Sequence, residues 1–201
     1  MKKLPQSFYM DADVFKVAKK LLGKFLVTNF NGIITSGMIT EVEGYNGEID
    51  SASHAFKARR TQRNEIMYAT GGTAYVYICY GIHHLFNVIT NEKDIPHAIL
   101  IRSIEPVENI DVMMKRRGKK KLDYALTAGP GALSKALGIH IKHNGELLYS
   151  NLIWIEDRGV KIHSRKIVST IRVGVEGAGR DARLPYRYII EGNKWITRTP
   201  K

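Results

Sequence analysis

Near the start of the chain, apolar positions recur every three to four residues. Val14, Phe15, Ala18, Leu21 and Leu22 share one face, so Asp11–Leu22 is expected to be helical, with Asp11 or Asp13 as cap and Gly23 as stop. The period then shortens. Phe25–Phe30 alternates as a strand and Asn31-Gly32 is a strong hairpin turn signal, because both centre positions of a type I′ turn need positive φ. The return strand is expected from Ile33 to Val42. Residues 46–61 are polar and read as a loop carrying His54, and a short helix is expected over Arg63–Ala69, ended by Gly71-Gly72. Tyr75–Tyr80 reads as an apolar, aromatic strand running into a turn at Gly81. Its partner spans Leu85–Thr90, and His97–Ile104 is a strongly apolar strand with Arg102 inside it. A helix is expected over Val107–Arg117, a loop entering a helix over Ala128–Leu137, and later strands at Leu152–Ile155, Ile167–Val173 and Tyr188–Ile190. The order lacks βαβ alternation. It predicts an α+β fold with a largely antiparallel sheet, as one domain over residues 1–201.

Charge adds a partner to this picture. Lys and Arg number 31 and Asp and Glu 19, a net +12 over 201 residues. Residues 1–112 balance at twelve of each sign, so the whole surplus lies in residues 113–201. A basic protein of this size points to a polyanion, and nucleic acid is the commonest one. The densest run, Lys115–Lys121, reads as a solvated loop that could also touch phosphates. The loop Ala128-Gly-Pro-Gly places backbone N–H groups at a helix start but lacks nucleotide P-loop spacing. One cysteine, Cys79, excludes an internal disulfide and any multi-cysteine metal site. With no signal-like apolar stretch behind Met1-Lys2-Lys3 and no transmembrane run, the expected location is the cytoplasm.

The candidate chemistry sits on three strands. Glu41 and Glu43 share a face if both are extended, and like charges brought close tend to raise one pKa. Tyr45 has the same parity. Arg102 is costly in its apolar run unless a carboxylate pairs with it, and either Glu43 or Glu41 could do so. Tyr75 and Tyr77 share a face, Val76 and Ile78 point the other way to pack, and Tyr80 changes parity beside the turn. Such a set suits an enzyme that holds a flat base rotated out of a duplex and polarises a water, with a bulky wedge at a hairpin tip. A stacking module for single strands would explain the charge and the tyrosines, but not an acidic pair beside a buried arginine.

Several motifs in order resemble the alkyladenine DNA glycosylase family, the mammalian-type 3-methyladenine DNA glycosylases. They are Glu41-Val-Glu-Gly-Tyr45, Ser53-His54, Thr61-Gln-Arg-Asn64, Tyr75-Val-Tyr-Ile-Cys-Tyr-Gly81, Asn87, Leu100-Ile-Arg-Ser-Ile-Glu-Pro106, Ala128-Gly-Pro130, Arg172-Val-Gly174 and Ala178-Gly179. The resemblance runs from about Leu4 to Trp195. It implies that Glu43 is a general base activating water, that Arg102 holds the water beside it, and that the Val173 carbonyl contacts it. It implies aromatic walls at Tyr45 and Tyr77, a stacking and hydrogen-bonding His54, a selective pocket floor at Asn87 and an intercalating Tyr80. No metal, cofactor or lysine nucleophile is implied. The expected partner is damaged double-stranded DNA, bound by a monomer associated with a bacterial nucleoid. Gly44 stands where alanine is common in that family, and His83-His84, residues 175–183 and the Lys-rich loop also depart from its pattern.

Overall fold

The computed structural model of the chain describes residues 2–197. An antiparallel sheet forms the frame. Among the described residues its strands are β1 (Lys2–Lys3), β2 (Phe25–Phe30), β3 (Ile33–Asn46), β4 (Ala74–Cys79), β5 (His83–Thr90), β6 (His97–Glu108), β7 (Ile153–Asp157), β8 (Ile167–Thr170) and β9 (Arg187–Ile190). Three α-helices pack on it: α1 (Val14–Leu21), α2 (Ile110–Arg117) and α3 (Pro130–Leu137). The strands run β1-β7-β2-β3-β6-β5-β4, and β9 joins β3 to β8. This is the α+β, antiparallel architecture expected from the pattern.

The 14-residue β3 is the spine. Its first half pairs with β2 as far as Met38, and β9 then takes over that edge opposite Glu41–Glu43. Strand β6 covers the other edge from Ser36 to Asn46. Residues 41–43 therefore have hydrogen-bonded strands on both sides, which is why two glutamates here are fully buried. Helix α1 lies against the same strand. The Asp13 carboxylate caps it, accepting from the N–H groups of Phe15 and Lys16 at 2.9 and 3.0 Å. Val14, Val17, Ala18 and Leu21 are buried beneath it. Phe15 crowds Gly44 so closely that an added Cβ would come within 2.9 Å of the ring, which accounts for glycine at this position.

Several boundaries differ from the periodic pattern. Strand β3 runs to Asn46 rather than Val42, so Tyr45 is inside it. Strand β6 continues to Glu108, and α2 starts only at Ile110. Pro106 would ordinarily argue against this extension. Here the register slips between Ser36↔Glu108 and Gly37↔Pro106, so the missing N–H falls at an irregularity where the ladder does not need it. The helix expected over 63–69 is a single 3-10 turn, Glu65–Tyr68, and the strand expected to reach Val173 ends at Thr170. Ile78, expected to pack beside Val76, is exposed. The β4–β5 ladder continues to Cys79↔His83, while β5 pairs with β6 only from Asn87 to Thr90. Beyond Asn87 the hairpin outruns its sheet, and neither of its outer edges has a strand neighbour among the described residues.

Much of the basic run is structural. Arg116 donates to the Ala136 carbonyl and the Thr35 hydroxyl, Arg117 to the Leu126 and Ala125 carbonyls, and Lys119 to Asp123. Lys115, Lys120 and Lys121 are exposed. Replacing Asp13 with alanine should remove the cap of α1 and lower the unfolding free energy by about 1 kcal/mol in urea denaturation.

Candidate active site

Glu41, Glu43 and Arg102 meet where the β3–β6 ladder slips twice. Ile39 pairs with Ile104, Glu41 with Ser103 and Val42 with Ile101, leaving Thr40 and Arg102 without a direct partner. Such bulges redirect side chains beside functional sites. Arg102 turns toward the carboxylates of β3 and pairs with both. Its Nε donates to Glu41 Oε1 at 2.8 Å and its Nη1 lies 3.2 Å from Glu43 Oε1. The two alternatives left open by the sequence are thus both realised.

The two acids have opposite environments. Glu41 is also paired with Arg187 at 2.7 Å and accepts from the Ser103 hydroxyl at 2.9 Å and the Thr197 N–H at 2.5 Å. Burial alone would raise its pKa, but Arg102 and Arg187 outweigh that and hold it below the ordinary glutamate value. Glu43 accepts from the Val173 N–H at 2.8 Å and the Tyr45 hydroxyl at 2.9 Å. Burial dominates here, and despite Arg102 its pKa is pushed above the ordinary 4.5. Pairs of acids whose pKa values are driven apart in this way are the raw material of acid–base chemistry.

Glu43 lies behind one wall of a cavity of about 1010 Å³. Tyr45, Arg102 and Val173 line that wall, and His54, Tyr77 and Asn87 line the rest. His54 is exposed toward it, with its Nδ1 3.0 Å from the Tyr75 hydroxyl and its ring edge-on to Tyr77 at 4.7 Å. Desolvation by the surrounding cavity walls, aided by the Arg63 and Arg59 charges, lowers the His54 pKa. Asn87 is buried and its amide N–H is committed to the Tyr75 carbonyl at 3.1 Å. The Ala128–Gly131 loop reaches the cavity through Gly129 and Pro130, where α3 begins.

At the mouth stands the tip of the β4–β5 hairpin. Tyr80 is 87% exposed and Ile82 73%. Tyr80 and Gly81 both have positive φ, 51° and 73°, matching Asn31 and Gly32 at 55° and 78° in the β2–β3 turn. Asparagine tolerates that conformation; tyrosine does so at some strain. A strained, projecting tyrosine is an unusual choice for a turn whose only task is to reverse the chain.

The methylpurine-DNA glycosylase family model matches residues 7–194. Over 192 residues the chain is 44% identical to a Chlamydia felis protein named "Putative 3-methyladenine DNA glycosylase", spanning 95% of this chain and 97% of that one. Proteins of the same name from Clostridium perfringens and Bacillus cereus are each 41% identical, over 98% and 96% of this chain and 99% and 98% of theirs. The chain belongs to the methylpurine-DNA glycosylase family. As a DNA glycosylase it is a hydrolase of the N-glycosyl bond, and its substrate is DNA.

All the residues singled out from the glycosylase sequence converge on this cavity or on the carboxylate behind it. Others were missed. Tyr75 lines the cavity and holds His54, and its shared parity with Tyr77 was the available signal. Arg172 donates to Asp50 at 2.5 and 2.8 Å and lies over the Tyr45 ring at 4.7 Å. Arg187 and Thr197 approach Glu41 from distant sequence with no periodic cue. Among the described residues no three metal-ligating side chains cluster, and no helix is long and apolar enough to cross a membrane.

A raised folded-state pKa means that Glu43 favours folding while protonated. That contribution is full below the unfolded value and lost as pH rises through the folded one. A glutamine amide in place of the Glu43 carboxylate can keep the Val173 bond and let the Tyr45 hydroxyl reverse. Glu43→Gln should therefore be more stable than wild type near neutral pH, with the margin vanishing in acid, as urea titrations at several pH values would show.

Proposed function

We propose that this glycosylase excises damaged purines, alkylated such as 3-methyladenine or deaminated, from double-stranded DNA, with Glu43 as general base. The support is the placement of Glu43: fully buried, with raised proton affinity, directly behind a cavity walled by aromatic rings. A purine rotated out of the duplex stacks between Tyr45 and Tyr77, beside His54 and over Asn87. Tyr80 fills the gap left in the duplex. Alkylation at a ring nitrogen makes the purine cationic and a better leaving group, so the enzyme has only to position water and stabilise an oxocarbenium-like sugar.

Glu43 takes a proton from water as its oxygen attacks the anomeric carbon, and the carbon–nitrogen bond breaks to release the base. Arg102 and the Val173 backbone hold the water beside the carboxylate. Burial strengthens Glu43 as a base, because the carboxylate gains more from a proton in a dry site than in water. The product is an abasic site with the phosphodiester chain intact. Among the described residues no lysine lines the cavity, in keeping with hydrolysis by water rather than an imine intermediate. The enzyme works as a monomer. A module that only stacks bases would have no use for a buried carboxylate of raised proton affinity.

Excision from duplexes carrying hypoxanthine or ethenoadenine, read as alkali-labile sites, tests this reading. Glu43→Gln should lose about 10²–10⁴-fold in single-turnover rate while retaining lesion-duplex binding. Full activity in that variant would remove Glu43 from the mechanism. The wild-type rate should fall in acid with an apparent pKa above 4.5, since protonated Glu43 is no base. Tyr80→Asn relieves the positive-φ strain, so thermal stability should hold or rise while lesion binding and excision drop. A large drop in melting temperature would instead make Tyr80 a packing residue.

A further inference from the structure

The catalytic reading accounts for Glu43 and Arg102 but not for the second acid two residues away. Glu41 is fully buried and accepts four hydrogen bonds, from Arg102, Arg187, Ser103 and Thr197. A carboxylate withdrawn this deeply is hard to keep unless every acceptor direction is filled, and here it is. The donors come from β6, β9 and the segment before the described C-terminal end. Among the described residues, Glu41 is the one carboxylate that Arg187 pairs with. Its Nε pairs with Glu41 at 2.7 Å, while its Nη atoms turn to the Thr197 carbonyl and the Thr170 hydroxyl.

We propose that Glu41 is a positioning residue for hydrolysis: by engaging the Nε edge of Arg102 it fixes which face of that guanidinium meets Glu43, and shares out its positive charge. The inference rests on the general-base reading of Glu43. The distances show the division. Arg102 is 2.8 Å from Glu41 but 3.2 Å from Glu43, so its tighter bond is to the acid that does no chemistry. Were Glu41 absent, Arg102 would turn wholly to Glu43, stabilise its anion and weaken it as a base. Arg187 sets the balance from the other side. By neutralising part of Glu41 it frees Arg102 to reach Glu43. The other charged or titratable groups facing Glu43 are Tyr45, Tyr77 and Arg172. None of them bonds Glu41, so replacing Glu41 or Arg187 leaves their contribution unchanged.

The arrangement predicts shifts of opposite sign. In Glu41→Gln the acid limb of the single-turnover rate should move to lower pH, by roughly one unit for the loss of a charged neighbour. Its plateau should fall by up to about tenfold as the base weakens, with lesion-duplex affinity unchanged. In Arg187→Met, Glu41 should draw Arg102 away from Glu43 and the limb should move to higher pH. Arg187→Lys should restore much of the wild-type position. Rates would be measured on a hypoxanthine duplex from about pH 4 to 9, wide enough to follow a limb displaced in either direction. Melting curves would confirm folding. A purely structural Glu41 would lower the active fraction in both variants and leave the limb in place. Unmoved limbs, or shifts of the same sign, would overturn the proposal. If Glu41→Gln does not fold, the direction of the Arg187→Met shift and its reversal by lysine decide alone. Glu43→Gln, run alongside, separates the two claims: activity there defeats the general-base reading itself, whereas loss there with unmoved limbs in the other variants defeats only the role of Glu41.

Discussion

Glu41 and Glu43 lie two residues apart on one strand, with Arg102 turned toward both and all three withdrawn from water. Removing two carboxylates from solvent is unfavourable unless their lone pairs are met by donors. The sheet supplies those donors from three directions. Arg102 comes from β6, Arg187 from β9, and the backbone N–H groups of Val173 and Thr197 from segments that leave the sheet. The exchange of β2 for β9 along the edge of β3 makes this possible, because residues 41–43 then have strands on both flanks. The long spine, the two register slips beside Glu41 and the late strands can all be read as the means of holding one guanidinium between two acids.

From that arrangement comes an inequality that chemistry can use. Glu41 has two arginines and two further donors, and its anion is stabilised. Glu43 has a share of one arginine, a backbone N–H and a tyrosine hydroxyl, and burial prevails. One residue type on one strand thus yields a carboxylate whose charge is stabilised and a carboxylate of raised proton affinity. The cavity in front adds aromatic walls, and His54 stands among them with its pKa lowered by desolvation and by the nearby Arg63 and Arg59.

The two hairpins share a backbone device and differ in what they do with it. Asn31-Gly32 closes β2–β3 with residues suited to positive φ. The β4–β5 turn has the same φ signs with tyrosine in the first place, and it stands clear of the sheet because β6 stops supporting β5 at Asn87. Strain and exposure at one aromatic residue mark the turn as something other than a connection. Two departures from the family's pattern also acquire reasons. Gly44 leaves room for the Phe15 ring. The Lys-rich loop is partly tied down, since Arg116 and Arg117 cap carbonyls of the helix and loop beside them.

Local signals in the sequence were enough for the helix capped by Asp13, the Asn-Gly hairpin, the antiparallel α+β class and the pairing of an acid with Arg102, since each follows from periodicity, turn chemistry or the cost of a bare buried charge. They misplaced the ends of β3 and β6 because strand length depends on available partners, and Pro106 is tolerated only where the register happens to slip. They could not assign Arg102 to Glu41 or Glu43, since parity placed both on one face and the bulges at Thr40 and Arg102 exist only in the paired ladder. Nor could they find Arg187 or Thr197, which lie more than 140 residues from Glu41 in the chain. The sequence by itself determined which groups could do chemistry. Tertiary structure decided which acid has its charge stabilised and which has the higher proton affinity, because proton affinity depends on donors and burial brought together from distant segments.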